Sequence, residues 1–169
     1  MEAGIRTVSG KKLTNWILGV GVVTILFVTV TFRLVGWNRF VNNSYLVEGK
    51  NNSVYLSRAI AACAEKKGAL PPSSPKVPAE LSAVSGKTYA STEKDWQDEA
   101  FRCDGFRVAD PQRFQYEWER TSDFEGIARA QADFDGNGVI EARYEQEVKC
   151  SKKGDHLVCG PGAFFDRNH

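Results

Sequence analysis

Two patterns of apolar positions divide this chain. Residues 16–32 carry no charged side chain, and the apolar run continues through Leu34, Val35 and Gly36 to Trp37, interrupted by Arg33. As a helix, residues 16–37 extend about 33 Å at about 1.5 Å per residue, close to a bilayer core of about 30 Å. Trp16 and Trp37 stand at the two ends, where indole rings favour the membrane interface, and Arg33 is near enough to one end to snorkel. The pattern predicts a membrane anchor over residues 13–37, preceded by a cytoplasmic tail, residues 1–12. A cleaved secretory signal is the competing reading, since Arg6, Lys11 and Lys12 precede the run. The run is long for such a signal, and no small-residue cleavage site follows it, so an uncleaved anchor is preferred.

Beyond the anchor the periods are those of a folded domain. Leu56, Ile60 and Cys63 fall at i, i+4 and i+7, with Ala59 beside them. This predicts a helix with one buried face inside residues 38–68. Lys66 and Lys67 suit its negative end, and Gly68 suits the residue after it. The helical stretch is read from Leu46 to Lys67, either continuous with the anchor or separated from it by a kink or loop that Asn42, Asn43, Gly49, Asn51 and Asn52 would allow. Pro71, Pro72, Pro75 and Pro78 then rule out helix across a connector, residues 69–95.

Strand periodicity follows. Phe114, Tyr116 and Trp118 alternate with Gln115, Glu117 and Glu119, placing the aromatic side chains on one face. Phe106 and Val108 are expected in the strand before, Ala128, Ala130, Ala132 and Phe134 in the next, and Ile140, Ala142 and Tyr144 after that. The expected fold is α+β, a transmembrane and extended N-terminal helix packed on an antiparallel sheet of three or four strands, with residues 69–169 forming the loop and sheet of a head.

Charge narrows the function classes. The 169 residues include 22 basic and 21 acidic side chains, a net charge of +1. No broad basic field exists for nucleic acid, and no nucleic-acid partner is expected. The four cysteines favour an oxidising compartment. Three pairings are open in principle. Cys63 with Cys103, and Cys150 with Cys159, are preferred, closing the connector and a short C-terminal loop. A zinc site is disfavoured, because no Cys-x-x-Cys pair is present and only His156 and His169 could assist. With the cysteines outside the cytosol, the head lies in the periplasm or at the cell surface of an inner-membrane, single-pass protein.

Asp133, Asp135 and Asn137, followed by Gly138, space oxygen ligands as the first half of a calcium loop does. The twelfth position is Tyr144 and the flanks have strand periodicity, both of which disfavour an EF-hand. A hairpin turn with positive φ at the glycines is the preferred reading, with calcium the one candidate cofactor. No serine or cysteine has an evident paired base, and the carboxylates of residues 93–99 and 117–125 read as a solvated face. No enzymatic role is expected.

In their order, Ser57-Arg58-Ala59-Ile60-Ala61-Ala62, Leu70-Pro71-Pro72-Ser73-Ser74, Phe114-Gln115-Tyr116-Glu117-Trp118 and the stretch from Ala128 to Gly138 resemble type IV pilins and pseudopilins, with a head similar to the myxobacterial type. The resemblance covers most of residues 45–150. It implies a structural or accessory subunit of a pilus or a type II secretion pseudopilus, with other pilin-like or secretion subunits and the membrane as partners. The alternative is an anchored periplasmic module that binds a peptide, a glycan or a secretion component. The N-terminus departs from the family pattern. Lys11 follows Gly10 where pilins have Phe, and Asn15 stands where they have Glu.

Overall fold

The computed structural model describes the backbone of residues 10–168 and the side chains at positions 20, 21, 23–25, 27–30 and 44–168. It divides into two compact units, Met1–Asn43 and Ser44–His169. Helix α1 is Gly10–Lys67 and contributes to both. In the first unit Val20, Val23, Ile25, Phe27, Val28 and Val30 are exposed. Among the described residues no helix is long and apolar enough to cross a membrane. The side chains of Trp16, Arg33 and Trp37, named above as the anchor's ends, lie outside the described residues.

The second unit is α+β, with a four-stranded antiparallel meander in the order β1-β2-β3-β4. The strands are β1 (Gln115–Arg120), β2 (Glu125–Ala132), β3 (Ala142–Lys153) and β4 (His156–Asn168). Leu56, Ala59, Ile60 and Ala64 of α1 are buried in one cluster with Tyr116, Trp118, Ala128, Ala130, Ala132 and Tyr144. The central strand β2 presents alanines, which occupy little room and let larger side chains from β1 and β3 close over it. Trp118 uses this space directly. A Cβ added to Gly126 would stand 2.3 Å from its indole.

Residues 40–53 are helical, so the helix read over residues 38–68 runs on from the anchor stretch without the loop that the asparagines and Gly49 could have allowed. Gly49 is there for packing. It is buried, and the ring of Phe114 occupies the place a side chain would take. Tertiary contact outweighs the low helix propensity of the asparagines and glycine. α1 ends as expected, with Gly68 at φ 75° and its N–H bonded to the Ala64 carbonyl at 2.8 Å.

Two expectations need correction. Phe106 and Val108 form no strand. Phe106 is a core residue at the end of a loop, with its ring 5.5 Å from that of Trp96. The place beside β1 belongs to the connector, whose Val77 exchanges both backbone hydrogen bonds with Tyr116 at 2.8 Å. Ser73 and Ser74 accept the N–H groups of Arg120 and Trp118 at 2.9 and 2.8 Å, so hydroxyls continue the edge where prolines supply no donor. The connector also holds a short 3₁₀ helix, Leu81–Ala83; a second, Glu93–Trp96, closes it, and helix α2, Glu99–Arg102, follows.

The segment expected to be a short C-terminal disulfide loop is a long hairpin. β3 and β4 continue past the start of β2 to a turn at Gly154, and Cys150 lies directly opposite Cys159. Between the pairs Gln146–Phe164 and Val148–Pro161, Glu147 faces two residues of β4, Gly162 and Ala163. This bulge is held by side chains. Glu147 accepts the Ala163 N–H at 3.0 Å, and Gln146 donates to the Gly162 carbonyl at 3.1 Å.

Candidate functional site

The β2–β3 turn, residues 133–141, brings the carboxylates of Asp133, Asp135 and Glu141 together among the described residues. Asp133 leaves the end of β2 and is fully buried. Its two carboxylate oxygens accept the N–H groups of Gly136 at 2.7 Å and Gly138 at 2.9 Å. Those glycines have φ 78° and 85°, the left-handed region that turns the donors inward. The connector closes over the turn. Gly86 donates its N–H to the Asp133 carbonyl at 2.9 Å, and Ser85 hydrogen-bonds the carboxylate. Burial works against the ionised form of Asp133. The hydrogen bonds from Ser85, Gly138, Gly136 and Asn137 outweigh it and hold the pKa below the ordinary carboxylate value.

Asp135 accepts from the backbone N–H of Asn137 at 3.0 Å and from its side-chain amide at 2.9 Å. The Asn137 amide oxygen takes the Val139 N–H at 2.7 Å. Asn137 therefore serves the turn itself. The third group that converges is Glu141, which accepts the Phe134 N–H at 2.5 Å. Ligand atoms of Asp133, Asp135 and Glu141 all lie within 4.8 Å of one another. These are hard anionic oxygens, the donor type that suits calcium. Glu141 was missed by counting to the twelfth position of a helix-flanked loop. The flanks here are strands, so the return leg brings position nine across the hairpin.

The structure pairs Cys63 with Cys103 and Cys150 with Cys159, with Cα–Cα distances of 5.5 and 4.0 Å. None of the four is free to hold a metal. The first bridge ties α2 to α1, reinforced by ion pairs of Lys66 with Asp104 and Lys67 with Glu99. The second staples the projecting hairpin. There the Cys159 N–H points away from β3 and donates to Glu65 of α1 at 2.9 Å.

The carboxylates read as a solvated face have structural partners. Asp95 accepts the Thr92 N–H at 2.7 Å in a capping box. Glu117, Glu119 and Glu145 surround Arg129 on the outer sheet face. Burial disfavours the Arg129 charge, yet the hydrogen bonds it donates to Glu145 and Glu117 more than compensate and push its pKa above the ordinary value. His156 begins β4 and is exposed. His169 lies outside the described residues.

A surface groove lies between residues 91–97 and 101–109. One part encloses about 460 Å³ and its neighbour about 220 Å³, and they share Glu93, Trp96 and Arg107.

No family model matches the chain, and neither a curated protein nor a solved structure matches it significantly. What stands is the class its architecture defines: an α+β head with a four-stranded meander, two disulfides and a long N-terminal helix.

Proposed function

We propose that this chain is a pilin-like structural or accessory subunit of a pilus or secretion pseudopilus, without enzymatic activity, anchored in the inner membrane by its N-terminal helix. One observation carries the reading. A single helix, Gly10–Lys67, combines an exposed apolar stretch that includes Val23, Ile25 and Phe27 with a face, Leu56 to Ala64, buried in a disulfide-bonded antiparallel head. An exposed apolar stripe is stable in lipid or against like helices, whereas a polar-rimmed head is stable in water. The oxidised cysteines agree with a head outside the cytosol.

The test is expression of the full chain in a bacterium that has a type IV pilus or type II secretion machine, followed by fractionation, filament recovery and mass measurement of the mature N-terminus. Cleavage after Gly10 together with recovery in filaments supports a filament subunit. An intact N-terminus in the inner membrane supports an accessory subunit with a permanent anchor. Recovery of the chain free of both membrane and filaments overturns the proposal.

The convergence of Glu141 on Asp133 and Asp135 favours a second, compatible reading. The β2–β3 turn binds calcium and the ion fastens the connector, through Ser85 and Gly86, to the sheet. A calcium titration of the melting temperature, described below, tests it.

A further inference from the structure

Asn137 is the chain's single asparagine followed by glycine. No side chain shields the Gly138 nitrogen from its own residue, and a Cβ added there would meet nothing within 4 Å. Residues 135–139 are exposed, so water reaches the turn. The Asn137 amide is fixed at both ends. Its oxygen accepts the Val139 N–H at 2.7 Å, and its nitrogen donates to Asp135 at 2.9 Å. A side chain that reaches the N–H two residues on is folded back over the peptide nitrogen between, which is that of Gly138. Asn51 and Asn52, by contrast, lie inside α1, where the ladder of the helix holds the backbone extended away from their side chains.

The Gly138 nitrogen also has an acceptor for its proton. Its N–H donates to Asp133 Oδ2 at 2.9 Å. Asp133 is fully buried, and its other oxygen takes the Gly136 N–H at 2.7 Å, so the acceptor is held in place. A peptide N–H lies in the plane of its amide, whereas the nitrogen attacks through the face of that plane. The hydrogen bond to Asp133 therefore leaves the direction of attack open. The Val139 N–H already points at the Asn137 amide oxygen, where negative charge would develop. Nucleophile, proton acceptor and oxyanion donor thus meet around one amide, in positions the fold sets beforehand.

We infer that Asn137 is a self-modifying site, which the folded turn converts to aspartate and isoaspartate without a separate enzyme. The Gly138 nitrogen bonds to the side-chain carbonyl carbon of Asn137 and gives its proton to Asp133. That proton passes to the side-chain nitrogen, the bond between this nitrogen and the carbonyl carbon breaks, and ammonia leaves. A cyclic succinimide remains. Water then adds to either of its carbonyl carbons, and the bond from that carbon to the Gly138 nitrogen breaks as the nitrogen regains a proton. Opening at the side-chain carbonyl gives aspartate, and opening at the backbone carbonyl gives isoaspartate. Aspartate puts a carboxylate where the amide donated to Asp135, so like charges replace a hydrogen bond. The turn that holds the connector through Ser85 and Gly86 is weakened as the molecule ages.

The experiment incubates the purified full chain in detergent at neutral pH in heavy-oxygen water and maps its peptides by mass. The same chain, reduced and unfolded in guanidinium, shows what the Asn-Gly sequence does without the fold. The expected result is heavy oxygen incorporated at position 137, as aspartate and isoaspartate, at least about tenfold faster in the folded chain, a modest part of the about 10²–10⁴ that a positioned base contributes. Asp133→Asn removes the proton acceptor and Val139→Pro removes the oxyanion donor. Each is expected to bring the folded rate toward the unfolded one. A folded rate equal to or below the unfolded rate overturns the inference, as does an acceleration that survives both substitutions. The comparison of folded with unfolded wild type needs no variant, so it decides the matter even where a substituted turn fails to fold.

Discussion

The ring of Phe114 lies where a side chain on Gly49 would have to go: a Cβ added at position 49 would stand 2.3 Å from one ring carbon and 2.5 Å from the next. Phe114 is fully buried, with its ring 5.6 Å from that of Phe134 and 6.0 Å from that of Tyr144. It has no vacant direction in which to retreat. The glycine lets α1 approach the start of β1 closely enough for Glu48 and Asn52 to reach Tyr116 at 3.1 and 2.9 Å.

Gly49→Ala is therefore expected to destabilise the head, although alanine is worth about 1 kcal/mol more than glycine in a helix. Overpacking costs about 1–3 kcal/mol. Thermal and urea unfolding should show a lowered midpoint for Gly49→Ala. The double variant Gly49→Ala, Phe114→Leu should recover part of the loss, since the smaller side chain removes the clash. A rise in midpoint for Gly49→Ala alone would refute the close approach.

Glu48 carries an electrostatic cost. Burial raises its pKa, opposed by hydrogen bonds from the Arg113 N–H and the Tyr116 hydroxyl and by the Arg113 charge. A raised folded pKa means the native state binds the proton more tightly than the unfolded chain. Stability is thus lost as pH rises from the unfolded carboxyl value through the folded one. Glu48→Gln keeps an acceptor oxygen and removes the charge. It is expected to be more stable than wild type at pH 7, with the advantage gone below the unfolded value of about pH 4.3. Urea midpoints at the two pH values check the sign.

Asp133 acts in the opposite sense. Its folded pKa is lowered, so its contribution is complete above the unfolded carboxyl value and disappears as pH falls through the folded one. Asp133→Asn should flatten the acid limb of the stability curve. At neutral pH it leaves one of the inward N–H groups of Gly136 and Gly138 without an acceptor, a cost of about 1–3 kcal/mol. Unfolding followed from neutral pH down through the acid range reads both effects.

Calcium provides an independent measurement on the same turn. Excess calcium is expected to raise the melting temperature, by the equivalent of about 2.7 kcal/mol when the ion is at a hundred times its dissociation constant. Glu141→Gln should abolish the shift while leaving the ion-free midpoint close to wild type. An unchanged midpoint with calcium would leave residues 133–141 as a turn held by its own hydrogen bonds.

The two disulfides should differ in weight. Their sequence separations are 40 and 9 residues. In the chain-entropy account, loops of these sizes contribute about 4 and about 2.5 kcal/mol. Replacing Cys63 and Cys103 by serine should therefore lower stability more than replacing Cys150 and Cys159. The first change should also loosen the groove, which shows as faster amide exchange over residues 91–107.

Much of the head was legible where one residue's surroundings are set by its immediate neighbours. The aromatic alternation at Phe114, Tyr116 and Trp118 places β1 and its inner face, because neighbouring side chains in a strand point to opposite sides. Leu56, Ile60 and Cys63 mark the buried face of α1 in the same way. The last strand was hidden. Gly160, Pro161 and Gly162 carry no strand signal, and they fit only because β4 is an edge strand that bulges opposite Glu147.

The sequence by itself determined the apolar N-terminal stretch, the helix face, the two central strands, the glycine turn at 136–138 and the oxidised cysteines, all of which follow from local periodicity or residue chemistry. The tertiary structure alone decided that Phe114 packs over Gly49, that the connector rather than Phe106 and Val108 flanks β1, and that Glu141 joins Asp133 and Asp135. It also decided that the groove at Arg102 and Arg107 exists. Each of these depends on residues distant in the chain being brought within a few ångströms by packing of the core, and a periodicity carries no record of such distances.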